Sequence, residues 1–137
     1  MTEECIFCAI KGQGLRNALY EDETCFAILD KFPAERGHVL VISKAHSESL
    51  LDASDQTVGR AFVIAKRFAA LCTEKLHATG VSVVTNSGRD AGQVVPHFHI
   101  HVIPKYPAGQ HELRYNGRLE ITADETAELS KLLSMRQ

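Results

Sequence analysis

The sequence has no long hydrophobic run: nothing in it approaches the roughly 18 consecutive apolar residues that a membrane-spanning helix needs. It also lacks a charge excess. Fifteen Lys and Arg against seventeen Asp and Glu leave a formal net charge of -2, which gives no electrostatic case for a nucleic acid polymer or an anionic membrane as partner. Any anionic ligand must therefore be held by a local cluster. Met1-Thr2-Glu3-Glu4 is acidic where a secretory signal would be basic and then apolar, so a cytoplasmic location is expected. Cysteine is scarce, with four in 137 residues. A cytosolic chain with an ordinary core does not need to pair them.

What is present is an ordinary globular composition, 45% hydrophobic and 23% charged, which fits one domain over 1–137. Cys25 and Cys72 lie in apolar surroundings and read as small buried hydrophobes. Cys5-Ile6-Phe7-Cys8 is different, because two thiols at this spacing can grip one tetrahedral metal ion that then needs two further ligands. Unligated thiols and a redox pair are the alternatives. No strand precedes the motif to make a thioredoxin-like unit, which disfavours the redox pair.

The richest stretch is Pro96-His97-Phe98-His99-Ile100-His101-Val102-Ile103-Pro104. Polar and apolar residues alternate with period two, so it predicts a strand with His97, His99 and His101 on one face and Phe98, Ile100 and Val102 on the other. At a rise of roughly 3.3 Å per residue, His97 and His101 stand about 13 Å apart, too far for all three rings to share one ion. A merely solvated face would use Lys, Thr or Glu. Three imidazoles in register point to chemistry.

In chain order, residues 18 to 22 and 24 to 30 predict a hairpin turning at Asp22-Glu23-Thr24, with Pro33 ending its pairing. Gly37 opens a strand whose core Val39-Leu40-Val41-Ile42 is apolar on both faces and so belongs in the middle of a sheet. A weak turn is expected near Ser49-Leu50-Leu51. Ser54 caps a long amphipathic helix beginning at Asp55, with Val58, Ala61, Phe62, Ala65, Phe68, Ala69, Cys72 and Leu76 on its buried face and Gly80 as its stop. Val81 to Thr85 predicts a strand. Asn86 to Gln93 is a loop whose glycines let backbone N–H groups approach an anion. Asp124 to Leu133 predicts a terminal helix with Thr122 or Ala123 near its start. The fold class expected is α+β, an antiparallel sheet of about five strands with the long helix packed on it.

His-φ-His-φ-His-φ-φ over 97 to 103, with Ala91-Gly92-Gln93 before it and Gly37-His38-Val39 to His46 upstream, resembles the histidine triad (HIT) superfamily. The Cys-x-x-Cys start is similar to its zinc-binding branch. The resemblance covers about residues 3 to 106, leaving 107 to 137 as a variable C-terminal segment. It implies a HIT-like fold, a homodimer, and a nucleotide hydrolase that cleaves at the α-phosphate of nucleoside phosphoramidates or dinucleoside polyphosphates through a nucleotidyl-histidine intermediate. The substrate class would be a purine nucleotide. By resemblance His99 is the nucleophile, His101 and His38 flank the phosphate, and Asp30, Asn86, Gly92 and Gln93 bind the nucleotide. Cys5, Cys8, His46 and His97 would hold a structural zinc. The family usually has Ser or Thr after the Gln; here Val94 stands there, removing a donor near the leaving group. A nucleotidyl transferase of the same mechanism, a nucleotide-binding regulatory module with little turnover, and a metal-dependent hydrolase are the competing readings. The last is disfavoured because the histidine strand carries no Asp or Glu as general base.

Overall fold

The computed structural model describes residues 5–108 and 119–136. The acidic start and residues 109–118 of the C-terminal segment therefore lie outside the described residues. In chain order the elements are α1 (Ile6–Gly12), β1 (Tyr20–Glu21), β2 (Cys25–Leu29), β3 (Val39–Ser43), α2 (Asp55–Leu76), β4 (Gly80–Val84), β5 (His99–Lys105) and α3 (Ala123–Leu133), with short 3-10 turns at Leu50–Asp52 and Arg89–Ala91. The strands form one antiparallel sheet in the order β1-β2-β3-β5-β4. This is the α+β architecture that the sequence predicts.

Both faces of the sheet are covered, by different clusters, which explains why β3 is apolar from Val39 to Ile42. Val39 and Val41 join Ile100, Val102 and the α2 residues Ala61, Ile64, Ala65, Phe68 and Cys72 in the main core. Leu40 and Ile42 point the other way, into a smaller cluster with Phe7, Leu15, Ala18 and Phe26. Period two in the strands and period 3.6 in α2 thus meet in one buried layer. Cys25 and Cys72 are free and fully buried, and burial pushes each thiol up to about 12.

α2 begins as expected, with the Ser54 side chain accepting the Thr57 N–H and Asp55 in its first turn. Its end is a correction. His77 takes the left-handed conformation at φ 61° and closes the helix, whereas Gly80 is the first residue of β4 and pairs with Lys105. His is one of the few residues besides Gly that take that conformation readily, and proximity to Gly80 hid it. Phe62 is a second correction. It is 37% exposed, and Ile64 occupies the core instead. α3 is opened by a reciprocal capping box between Thr122 and Glu125 and buries Leu129 and Leu133. Ser49 and Asp52 cap the 3-10 turn over Leu50–Asp52 in the same reciprocal way. Gly37 is a strict requirement: its φ is +93°, and a Cβ there would run into the Leu76 side chain and crowd Pro104.

Candidate active site and metal cluster

β5 lies between β3 and β4, with His99 beside Ile42 and His101 beside Leu40. Its Ile100 and Val102 sink under α2, so the alternating pleat carries His99 and His101 to the opposite face. His97 precedes the strand. The regular strand starts at His99, shorter than the nine-residue pattern suggests. All three triad histidines are buried, at 1%, 8% and 8% exposure for His97, His99 and His101.

Backbone and ring contacts settle the proton positions. The His99 Nδ1–H donates to the His97 carbonyl at 2.6 Å, which leaves its Nε2 with a lone pair. Burial lowers the His99 pKa, so the ring is neutral near pH 7. His38 Nδ1 accepts the Ala34 N–H at 2.9 Å, so His38 carries its proton on Nε2. That N–H lies 2.9 Å from His101 Nδ1 and 3.3 Å from Asp30 Oδ2. His101, accepting on Nδ1, then holds its proton on Nε2. Burial, with a smaller push from the neighbouring rings, takes His38 from 6.5 down to about 3 and His101 to about 4. Asp30 accepts the Phe32 N–H through its other oxygen, and burial raises its carboxyl from 3.8 to about 6.

Of the four nucleotide-binding candidates, Asp30 adjoins the histidines directly. Gly92 sits in the left-handed region at φ 97° and closes the 3-10 turn over Arg89–Ala91. Gln93 has its amide engaged within the protein: Oε1 accepts the Gly88 N–H at 2.7 Å, and Nε2 donates to the Glu48 carbonyl at 2.6 Å and to that of Val95 at 2.9 Å. Its side chain therefore laces the loop to the segment after β3. Asn86 follows β4 and is half-buried, and Val94 is 75% exposed.

Cys5, Cys8, His46 and His97 come together from three distant segments, their ligand atoms all within 4.8 Å of one another. The separations are 3.1 Å from Cys5 Sγ to His97 Nδ1, 3.4 Å from Cys8 Sγ to His46 Nδ1, 3.6 Å from Cys8 Sγ to His97 Nδ1, and 3.1 Å between the two Nδ1 atoms. Zn–S bonds of about 2.3 Å and Zn–N bonds of about 2.0 Å give a tetrahedron with edges of about 3.3 to 3.8 Å. The donor set and its spacing therefore fit zinc. His97 also directs Nε2 to the Ser43 carbonyl at 2.7 Å, the kind of outer contact that fixes a ligating imidazole. A second group, Asp30, His38 and His101, is equally close, but its atoms already form the hydrogen-bonded chain described above.

Sequence reasoning missed three supports. Phe7 stands edge-on to His97 and His99, with ring centroids 5.7 and 5.0 Å apart. The Thr85 hydroxyl donates to the His99 carbonyl at 2.6 Å, and Ser43 holds His97. Only Phe7 had a signal, as an apolar residue inside the Cys-x-x-Cys motif. A cavity of about 550 Å³ also opens on the histidine face, lined by Ile10, Leu15, Arg16, Asn17, Ala18 and Ile28 among others. Ile28 pairs with Leu40, and Leu40 with His101, so the cavity stands two strands, about 10 Å, from His101.

This fold and this row of imidazoles define a histidine triad protein. The HIT domain model matches residues 11–108, and the chain belongs to the HIT family. A hypothetical histidine triad nucleotide-binding protein from Sulfolobus tokodaii superposes with a TM-score of 0.82 at 34% identity, covering 95% of this chain and 89% of that one. A zinc-bound histidine triad family protein from Mycobacterium smegmatis gives 0.79 at 36% identity, with 95% and 93% covered. A HIT family hydrolase from Clostridium thermocellum gives 0.64 at 32% identity, with 82% and 100% covered. Membership implies an enzyme of nucleotide hydrolase or transferase type. Among the described residues no helix is long and apolar enough to cross a membrane.

Proposed function

We propose that the protein hydrolyses nucleoside phosphoramidates or dinucleoside polyphosphates at the α-phosphate, through a nucleotidyl-His99 intermediate. The observation that carries this reading is the 2.6 Å contact from His99 Nδ1 to the His97 carbonyl. It fixes the tautomer whose Nε2 is nucleophilic without a separate base. In the first step Nε2 attacks phosphorus, an N–P bond forms, and the bond to the leaving group breaks as that group takes up a proton. Water then attacks the same phosphorus, the N–P bond breaks with its electron pair returning to Nε2, the proton lost by that water goes to solvent in place of the one the leaving group took from it, and the nucleotide leaves.

His101, holding its proton on Nε2 through the His38 relay, donates toward phosphate oxygens as charge develops on them. Asp30 accepts hydrogen bonds from the ribose hydroxyls, and the cavity walled by Ile10, Leu15 and Ile28 receives a purine. The loop from Asn86 through Gly92, held in shape by Gln93, turns backbone N–H groups toward the phosphate. Cys5, Cys8, His46 and His97 would hold a structural zinc, which would tie α1 to the start of β5, where the His97 carbonyl meets His99. The site faces the cytoplasm, and the protein works as a homodimer.

The test is an alkali-quenched turnover of an adenosine 5′-phosphoramidate, since the N–P bond to imidazole survives base but not acid, with the intact protein weighed by mass spectrometry. A transient adduct of one nucleotide monophosphate on wild type, absent from His99→Asn, is expected, together with loss of at least about 1,000-fold in kcat. Near-normal turnover by His99→Asn would overturn the assignment. Supplying an alcohol or phosphate acceptor in the same assay separates hydrolysis from transfer to an acceptor other than water.

A further inference from the structure

Past α3 the described chain turns back toward the nucleoside end of the sheet. The Met135 N–H donates to the Leu19 carbonyl at 2.9 Å, and the Arg136 Nη1 donates to the Leu15 carbonyl at 2.9 Å. The same guanidinium nitrogen lies 3.8 Å from Glu21 of β1. Leu15 and Ala18 form part of the cavity wall, and they belong to a turn closed by the Ala18 N–H on that same Leu15 carbonyl, at 3.1 Å. One carbonyl thus accepts both the turn's own hydrogen bond and the donor brought by Arg136. Met135 is half-buried against the main core and Leu133 is fully buried, so α3 anchors the strap from which Arg136 reaches.

We propose that Arg136 is a positioning residue for nucleoside recognition: the strap at 134–136 locks the turn at 15–18, and thereby sets the wall against which the base rests. The proposal rests on the reading of the cavity as the nucleoside pocket. No atom of Arg136 needs to touch the substrate. The side chain acts through Leu15, and its effect is confined to the part of the substrate that the turn contacts. Removing the donor leaves the Leu15 carbonyl with the turn's internal hydrogen bond alone, so the wall loosens, while His99, two strands from β2, keeps its own contact to the His97 carbonyl. Binding energy realised equally in the ground and transition states affects KM and leaves kcat unchanged.

The experiment compares wild type, Arg136→Met and Ile28→Trp on two substrates with the same leaving amine, adenosine 5′-phosphoramidate and the base-free ribose 5-phosphoramidate. Met keeps the aliphatic stem and removes the donor; Trp fills the cavity from β2. For Arg136→Met, KM on the adenosine substrate should rise about three- to tenfold with kcat within about twofold, and kcat/KM on the base-free substrate should stay unchanged. Thermal midpoints are measured alongside. A KM for adenosine unchanged by Arg136→Met, or an equal loss on both substrates, overturns the proposal. In either case a selective KM increase in Ile28→Trp keeps the pocket reading intact. If Ile28→Trp alters neither substrate, the pocket reading fails and takes the strap's role with it.

Discussion

Acidification should destabilise this protein through the histidines that build its site, by an amount their burial sets. His38 and His101 are 1% and 8% exposed, and burial holds them at about 3 and about 4 against a usual 6.5. The unfolded chain takes up both protons as pH falls through 6.5, whereas the folded chain resists them, so stability present above that value is lost on the way down. Between pH 7 and pH 5 each ring contributes a loss of roughly 2 kcal/mol. Asp30 acts in the opposite direction. Its carboxyl, raised by burial from 3.8 to about 6, is protonated first in the folded state and returns roughly 1.3 kcal/mol over the same interval. The two rings share a hydrogen bond and titrate as a pair, and these three groups together give an expected loss of roughly 2 to 3 kcal/mol, to which the buried His99 adds in the same direction. Urea unfolding followed by circular dichroism at the two pH values and constant ionic strength measures it. His38→Gln keeps an N–H donor but cannot titrate, so it should lose about 2 kcal/mol less than wild type. Protonation of the Cys/His cluster is common to both proteins and cancels in the comparison. Equal losses in the two would refute the reasoning.

Two further perturbations bear on the scaffold. Zinc removal by a strong chelator, or Cys8→Ser, should drop the metal content from about one ion per chain toward zero and lower the thermal midpoint, because the cluster joins three segments far apart in sequence. Elemental analysis showing no zinc in the purified protein, with an unchanged midpoint after chelation, would sink that expectation. Gly37→Ala should cost about 2 kcal/mol or more in urea unfolding, since Ala meets both a positive φ and the Leu76 side chain. A variant as stable as wild type would mean that the β2–β3 connection relaxes freely.

Much of this arrangement was legible in the sequence because it rests on periodicity. Alternation over Phe98 to Val102 separates a core face from a histidine face, and the unbroken apolar run Val39 to Ile42 reports coverage on both sides of β3. Ser54 and Thr122 announce helix starts by local chemistry alone. The misses have a different physical origin. His77 ends α2 in a conformation usually left to Gly, a choice that neither spacing nor composition reveals. Phe62 satisfies the helical period yet faces outward, because the period defines a stripe and only the sheet beneath decides which edge of it is covered. The contacts of the Gln93 amide to Gly88, Glu48 and Val95 were likewise invisible, because such pairings exist only once the chain has folded; they leave its expected part in nucleotide binding as it stood. The Arg136 contact to Leu15 spans nearly the whole chain and left no local trace.

The chemistry and the core share one register. β5 is hydrogen-bonded on both sides, His99 and His101 opposite Ile42 and Leu40 of β3, and Val102 opposite Val83 of β4. A slip of one residue would bury imidazoles beneath α2 and expose Ile100 and Val102, reversing every side chain of the strand. Burial of those apolar residues, each contributing roughly 1.5 to 3 kcal/mol, therefore fixes which face the imidazoles occupy before any ligand is present. His97 extends the same constraint beyond the strand: its ring belongs to the Cys/His cluster, its Nε2 binds the Ser43 carbonyl, and its own carbonyl sets the His99 tautomer. Displacing that one peptide unit would leave His99 in place but free its Nδ1 proton to move, so the nucleophile proposed above would depend on the backbone of a residue whose own side chain belongs to the Cys/His cluster.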